Sequence, residues 1–197
     1  VRLLEKVSID LVSDINQLKE HISDAMNRQT AIDSLLAVLY KAPNSDPIKF
    51  LKLNFDAIIT ENHFEVNSGT FDESQSAGAI KFIRNDSLRE QIFNYYRITK
   101  RKYEDDNKVQ SIYRDIMPIL FKKIMASKEA VLVFKGVEST LPGLDIAALS
   151  KDQDYMAKVL FKYISEQFQI QSWKSFLQNA ESLLQQIQSN QKEKNVH

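Results

Sequence analysis

The stretch TFDESQSAGAIKFIRNDSLREQIFNYY, residues Thr70–Tyr96, constrains its local structure more tightly than any other part of the chain. Thr70 is followed three residues later by Glu73, which is the spacing of a capping box and predicts a short helix over residues 71–77. Gly78 then predicts the end of that helix, because glycine adopts a positive φ at little steric cost. The stretch therefore predicts a short capped helix at Thr70–Gly78, followed by a sharp corner.

A second helix start follows this corner. Asn85 is a favourable N-cap residue, and a pattern of apolar side chains begins directly after it. The predicted buried face of this helix consists of Leu88, Ile92, Tyr95 and Tyr96. Asn85 also begins an Asn-Asp-Ser tripeptide that matches the N-glycosylation acceptor pattern, but the adjacent hydrophobic pattern favours the helix cap. These predictions concern architecture, and they assign no chemistry to the stretch.

The same stretch resembles a family of uncharacterised single-pass membrane-anchored proteins of Bacteroidota, classed as a domain of unknown function. The matching positions are Thr70, Asp72, Glu73, Gly78, Ile83, Asn85, Leu88, Ile92, Tyr95 and Tyr96. The opening LLEKVSIDLVSDINQLKEHI, residues 3–22, resembles the first helix that follows the membrane anchor in that family. Phe71, Ser74 and Ala79 depart from the family pattern, which has Tyr, Leu and Asn there. The resemblance implies an anchor before this chain and a domain on the extracytoplasmic, periplasmic side of the inner membrane, but no activity.

The composition limits the number of domains and the kinds of partner. The chain has 197 residues with 43% hydrophobic content, which is enough for one sizeable core and favours a single helical domain over residues 1–197. Lys plus Arg and Asp plus Glu both number 26, so a net charge of zero gives no indication of nucleic-acid binding. The chain has no cysteine, which excludes disulfides and thiolate metal sites.

Few glycines and prolines interrupt the chain, so a small number of long helices is expected. The first helix is predicted over residues 1–41, because apolar side chains recur there in steps of three and four, as in the seam of a bundle. That predicted seam consists of Leu4, Val7, Leu11, Ile15, Leu18, Ile22, Met26, Gln29, Ile32, Leu36 and Leu39. Asp46 as N-cap, with Pro47 at the first helical position, predicts a second helix over residues 47–60.

The second half of the chain predicts two further long helices. One is expected over residues 86–126 with a kink at Pro118, because proline removes a backbone donor. Residues 127–149 show weak periodicity and are predicted to be irregular. Ser150 and Gln153 have capping-box spacing and predict a last helix over residues 151–189. Its predicted seam consists of Met156, Val159, Tyr163, Gln167, Ile170, Trp173, Leu177, Ala180, Leu184 and Ile187.

The sequence predicts no catalytic, cofactor-binding or metal-binding residues. It contains no metalloprotease, nucleophile-elbow, phosphate-loop or EF-hand motif. None of the three histidines has a glutamate three residues before it, as di-metal carboxylate bundles require. His63 fits a solvated loop histidine better than a metal ligand. The tyrosines of the 86–126 helix could line a binding groove, but core packing is the favoured interpretation of Tyr95, Tyr96, Tyr103 and Tyr113.

The predicted fold is all-α, an elongated antiparallel up-and-down bundle with three long helices, one medium helix and the short capped helix at Thr70–Gly78. The leading functional hypothesis is a non-enzymatic extracytoplasmic interaction or sensor-like domain of a membrane-anchored protein, which rests on fold-level analogy. The alternatives are a structural scaffold that oligomerises through helix surfaces, and an enzyme whose site is not recognisable from sequence. The expected partner is a protein or a small ligand and not nucleic acid, with a homo-oligomer as a further option.

Overall fold

The structure, a computed structural model, describes residues 2–41, 46–59, 62–102, 135–136 and 145–195. Helices account for most of these residues, and none of the residues described lies in a β-strand. The prediction of an all-α helical bundle is therefore confirmed. None of the described helices is both long and apolar enough to cross a membrane.

The first two helices begin where the sequence places them. Helix α1 spans Arg2–Lys41, and α2 spans Pro47–Asn54 before a π-helical turn over Phe55–Ile59. The Asp46 carboxylate accepts a hydrogen bond of 2.9 Å from the backbone amide of Ile48, with proline at the first helical position. This acceptor satisfies an amide that has no partner within the helix, which is why the Asp-Pro pair starts α2.

The corner near residue 78 also follows the predicted geometry. Helix α3 spans Gly69–Ser76, a 3₁₀ turn spans Ala79–Phe82, and α4 begins at residue 86 and is described to residue 102. Gly78 has φ = +66°, so the prediction of a left-handed residue at the corner is confirmed. The predicted continuation of α4 to residue 126, including the kink at Pro118, lies outside the described residues.

The predicted capping box at Thr70 and Glu73 is wrong. The N-cap of α3 is Ser68, whose carbonyl accepts from the amide of Asp72 at 2.9 Å and whose hydroxyl donates to the Asp72 carboxylate at 2.7 Å. Thr70 therefore lies inside the first turn, and Glu73 extends to Lys6 of α1 at 4.0 Å. Because α3 begins at Gly69 with Ser68 as its N-cap, Glu73 is not the third helical residue and cannot complete a capping box.

The capping box predicted at Ser150 is wrong for a similar reason. A one-turn helix, α5, spans Ile146–Leu149 within the region expected to be irregular, and Ser150 closes it. The last helix, α6, spans Gln153–Asn195, and the carboxylate of Asp152 accepts from its third amide at 3.0 Å. An aspartate two residues after the serine was the better acceptor, so α6 starts later than residue 151. It also extends beyond residue 189.

The chain contacts group the residues into two compact units. Unit 1 comprises Val1–Ser23, His63–Asn107 and Ile170–His197, whereas unit 2 comprises Asp24–Asn62 and Lys108–Gln169. Helices α1 and α6 contribute to both units, so neither unit is a continuous segment of the chain.

In unit 1, α1 and α6 run antiparallel. The Lys19 ammonium lies 2.9 Å from the Glu181 carboxylate, and the ring centroid of His21 lies 5.4 Å from that of Trp173. Residue numbers thus rise along α1 while they fall along α6. The core of this unit is apolar and aromatic, and its largest fully buried side chains are Trp173, Tyr96, Leu11, Leu18, Leu88, Ile92 and Ile187.

In unit 2, the second half of α1 packs with α2, α5 and the start of α6. The core cluster consists of Ile32, Leu35, Leu39, Phe50, Leu51, Ala57, Ile58, Ile146, Leu149, Tyr155 and Val159. Burying aliphatic and aromatic side chains of this size contributes about 1.5–3 kcal/mol each, so this cluster supplies much of the stability of the unit.

Parts of the predicted seams are displaced by one residue. On α1, the buried positions are Ala25, Arg28 and Leu35, where Met26, Gln29 and Leu36 were predicted. On α6, they are Tyr155, Lys162, Glu166, Phe176 and Leu183, where Met156, Tyr163, Gln167, Leu177 and Leu184 were predicted. The apolar face of a helix is wider than its central line, so half-buried flanking positions also hold apolar residues. The centre is small or charged at Ala25, Arg28, Lys162 and Glu166, whereas at Leu35, Tyr155, Phe176 and Leu183 the centre and the flank both hold large side chains that the pattern could not distinguish.

Candidate functional site

The ten residues predicted as the structural motif of the Thr70–Tyr96 stretch all lie in unit 1, at and around the junction of α3 and α4. The side-chain oxygen of Asn85 accepts from the amide of Leu88 at 3.0 Å, which confirms the predicted N-cap. The predicted inner face of α4 is also confirmed, because the side chains of Leu88, Ile92, Tyr95 and Tyr96 are all buried. Ile83 is buried beside the corner, and its carbonyl accepts from Arg89 at 3.0 Å.

The acidic residues of this motif connect helices. Lys100 on α4 donates to both carboxylate oxygens of Asp72 on α3, at 2.6 and 2.8 Å. The hydrogen bond from Lys100 is the main reason that the pKa of Asp72 lies below its usual value. The pair is about half exposed, so its role is to position α3 on α4 with a small contribution to stability.

A buried carboxylate lies beneath the motif. Asp14 of α1 accepts a hydrogen bond of 2.7 Å from the hydroxyl of Tyr95 and one of 2.9 Å from the backbone amide of Asn67. Burial of this carboxyl raises its pKa above the usual value, although both hydrogen bonds act in the opposite direction. Burial, with Asp14 nearby, raises the pKa of Tyr95 as well, so its hydroxyl remains a donor.

Two further polar groups lie close to this carboxylate. Asp10 lies one helical turn before Asp14, and one of its carboxylate oxygens is buried without a hydrogen-bond partner among the described residues. The same holds for the hydroxyl of Tyr96, whose ring stacks on Phe71 with centroids 4.5 Å apart. All of these side chains are buried, so Tyr95 and Tyr96 belong to the core and do not line a groove. Tyr103 and Tyr113 lie outside the described residues.

A second buried polar cluster lies in unit 2 and consists of charged groups. The Nε of Arg28 on α1 donates to Glu166 Oε1 on α6 at 3.1 Å, and Lys162 Nζ lies 2.9 Å from the same oxygen. The three side chains are 6%, 3% and 2% exposed for Arg28, Lys162 and Glu166. We call these residues the ionic cluster.

The ionic cluster extends to the chain segment after α2. Arg28 Nη1 donates to the Asn62 side-chain oxygen at 3.3 Å, and the Asn62 amide donates to the carboxylate of Asp24. Lys158 lies one helical turn before Lys162 on α6, on the same face. Its ammonium nitrogen is buried and has no hydrogen-bond partner in the part of the chain that the structure describes.

Ionised groups at the centre of a helix pair are costly. Desolvation costs several kcal/mol for each ion, and mutual attraction offsets this only where the geometry is good. An apolar set of similar volume would often be equally stable or more stable. The best-attested uses of buried charge are to fix the register of two helices or to form a switch, which makes the ionic cluster the candidate functional site of this chain.

Two histidines lie within the described residues, and they contact each other. His21 Nε2 donates to the backbone carbonyl of His63 at 2.9 Å, which holds the loop around residue 63 against α1. Within the described ranges, no group of three or more histidine, aspartate or glutamate side chains is arranged to hold a metal ion.

A surface groove of about 520 Å³ lies between α4 and α6 in unit 1. Its lining combines cations, hydroxyls and apolar side chains, namely Ile98, Arg101, Lys102, Gln171, Ser172, Ser175 and Phe176. Among the described residues, no polar atom of this lining is buried without a hydrogen-bond partner, so its chemistry is less specific than that of the ionic cluster.

The sequence reading missed the ionic cluster and Asp14. A signal was present, because the predicted seams had to include Gln29 and Gln167 to keep their period. A polar residue forced into an apolar seam indicates that the buried position lies beside it. At both places the neighbour one residue earlier is charged and buried, Arg28 on α1 and Glu166 on α6.

Comparison of the chain with protein-family models, with curated proteins and with solved structures finds no significant match.

Proposed function

We propose that this chain is an interaction or sensor-like helical domain of a membrane-anchored protein, positioned on the extracytoplasmic side and binding a protein or a small ligand. The observation that supports this proposal is the ionic cluster, in which Arg28 of α1 meets Lys162 and Glu166 of α6 inside unit 2. The membrane anchor and the extracytoplasmic compartment in this proposal are what the family resemblance of the Thr70–Tyr96 stretch implies.

The ionic cluster limits α1 and α6 to a few discrete positions relative to each other within unit 2. A shift of one turn, about 5.4 Å, would separate Arg28 from Glu166 and leave both charges buried without each other. Intermediate positions are therefore unfavourable, and the pair has few arrangements that are stable. A ligand that binds one arrangement more tightly than another shifts the population between them. Because α1 is one helix from Arg2 to Lys41, a displacement at Arg28 is carried along it.

The relay can be tested with spin labels, since the chain has no natural cysteine. Ala37 on α1 and Ala157 on α6 are exposed positions of unit 2, suited to cysteine substitution. The proposal predicts that the distance distribution between the two labels differs between native membranes and the purified domain. A control pair at Ala157 and Lys174, both on α6, should give one unchanged distance. One narrow distribution for the first pair under both conditions would contradict the relay.

The compartment needs a separate test. Ser87 is exposed, whereas Ala180 is fully buried. In intact cells that produce the anchored protein, a membrane-impermeant maleimide should label Ser87→Cys and should not label Ala180→Cys. Labelling of Ser87→Cys only after the cells are lysed would contradict an extracytoplasmic position.

A second candidate, a scaffold that oligomerises through helix surfaces, is favoured by one feature of α6. Leu160, Ile164 and Phe168 follow one another at four-residue steps and are 41%, 49% and 64% exposed. In this proposal the stripe packs against the same stripe of a second copy. Light scattering should then show a dimer for the natural chain and a monomer for Ile164→Glu, and a monomer in both cases would refute the scaffold.

A further inference from the structure

Two charged nitrogens of unit 2 are buried without a partner among the described residues. They are Arg28 Nη2 and Lys158 Nζ. Arg28 is 5% exposed as a whole residue, so water has little access to it. Buried polar atoms in native proteins nearly always have a hydrogen-bond partner, and the requirement is strictest for charged donors.

An acceptor in the same cluster is also without a partner. Glu166 accepts from Arg28 and from Lys162 through a single oxygen, Oε1. Its second oxygen, Oε2, is buried with no hydrogen-bond partner among the residues described. Beside Arg28 the cluster therefore presents a cationic donor and an anionic acceptor together, and Lys158 adds a second cationic donor on the same face of α6.

We propose that the ionic cluster binds a small oxyanion that carries both a negative oxygen and a hydroxyl, which is the chemistry of inorganic phosphate at neutral pH. The proposal rests on the sensor-like function and names the ligand class of the same site. Negative oxygens of the ligand accept from Arg28 Nη2 and Lys158 Nζ, and its hydroxyl donates to Glu166 Oε2. Charge-assisted hydrogen bonds of this kind are about twice as strong as neutral ones.

The carboxylate provides selectivity between similar anions. Sulfate has no hydroxyl at neutral pH, so it would place a negative oxygen against Glu166 Oε2. Like charges at that distance repel, and the repulsion is stronger in a buried site than in water. Phosphate should therefore bind and sulfate should not.

The test is isothermal titration of the whole chain with sodium phosphate, and with sodium sulfate at matched ionic strength. Phosphate should bind and sulfate should give no saturable heat. Lys158→Met should weaken phosphate binding about tenfold or more, from the loss of one charge-assisted bond. Since Lys158 has no partner in the described structure, this variant should fold at least as well as the natural chain. Glu166→Gln replaces the acceptor with an amide that can donate, so it should narrow the preference for phosphate over sulfate.

The outcomes are distinct. Equal binding of phosphate and sulfate, no binding of either anion, or unchanged phosphate affinity in Lys158→Met would overturn the proposal, leaving water or a carboxylate of the chain itself as the partner of Arg28. Glycerol 3-phosphate, whose phosphate group mostly lacks a hydroxyl at neutral pH, should bind more weakly than inorganic phosphate, and equal or tighter binding would overturn the role given to Glu166 Oε2. Spin-label distances that change in membranes without phosphate binding would retain the sensor-like function and reject this ligand class.

Discussion

Replacement of Glu166 by glutamine tests whether the ionic cluster stabilises the fold as the structure indicates. The substitution keeps the size of the side chain and removes the one carboxylate that Arg28 and Lys162 share, at 3.1 and 2.9 Å. Loss of one partner of a buried ion pair costs about 3–5 kcal/mol, because the remaining charge stays desolvated. The total stability of a domain is about 5–15 kcal/mol, so the loss should be large and easily measured.

A loss of stability caused by buried charge differs from one caused by a packing defect, because removal of the remaining charges should reverse it. If Glu166→Gln destabilises because it removes a carboxylate from two buried cations, removing those cations as well should restore stability. The triple variant Arg28→Met, Lys162→Met, Glu166→Met is therefore expected to be within about 1 kcal/mol of the natural chain, or more stable. Urea unfolding followed by circular dichroism gives each free energy of unfolding, provided that the slope with denaturant stays the same.

An exposed ion pair between α1 and α6 in unit 1 provides the matched control. Lys19 and Glu181 lie 2.9 Å apart, and their side chains are 56% and 48% exposed. Glu181→Gln should cost less than about 1 kcal/mol, since water already screens the pair. Similar losses in the two glutamine variants, or a triple variant no more stable than Glu166→Gln alone, would refute the reasoning from burial.

Three further predictions concern unit 1. Gly78→Val should cost about 1–2 kcal/mol, because φ is +66° and the only nearby atoms belong to a flexible lysine, whereas Gly69→Ala should leave the melting temperature unchanged or raise it. Tyr95→Phe should lower the free energy of unfolding by about 1.5–3 kcal/mol, because it removes the hydrogen bond to the Asp14 carboxylate. Tyr96→Phe should leave it unchanged, because the Tyr96 hydroxyl has no partner in the described structure. Equal losses for the two variants in urea unfolding would contradict this prediction. Since burial raises the pKa of Asp14, its contribution to stability is fully present below the usual value of 3.8 and is lost as pH rises through the folded-state pKa, so the stability of the natural chain relative to Asp14→Asn should fall with rising pH.

Local signals in the sequence predicted the helices better than they predicted the caps. Asp46 and Asn85 were predicted as N-caps, and both accept the expected amide. Thr70 and Ser150 had the spacing of capping boxes, but neither is the N-cap of the helix that follows it. A capping box requires that no better cap lies nearby, but Ser68 is the N-cap of α3 and the Asp152 carboxylate accepts from an amide in the first turn of α6. The spacing of two residues does not show which of several neighbouring polar residues becomes the cap.

The buried charges were missed for a different physical reason. A periodicity argument assigns the buried face of a helix from the spacing of its apolar residues. It therefore places the predicted seam on neighbours of Arg28 and Glu166 and not on these charged residues themselves. Each of these buried side chains has the other as a charged partner on the facing helix. The pairing joins residues 138 positions apart, and no local pattern records it. The spacing of apolar residues can thus reveal how often a helix places a residue in the core without revealing which of the buried positions hold charged residues.

The Asp14 cluster of unit 1 and the ionic cluster of unit 2 differ in whether a change of protonation can relieve the cost of burial. This difference is the reason that the proposed ligand site lies in unit 2. Asp14 accepts from two uncharged donors, and its raised pKa means that proton uptake can relieve the cost of burying it. Arg28 has no such route, because a guanidinium keeps its proton in proteins. The buried Nη2 therefore needs an acceptor, and Glu166 Oε1 is already shared by two cations. Because the buried guanidinium of Arg28 stays charged, an anion that accepts from it would gain binding free energy. Asp14 can instead be neutralised by a proton, so it provides no comparable site for a charged ligand.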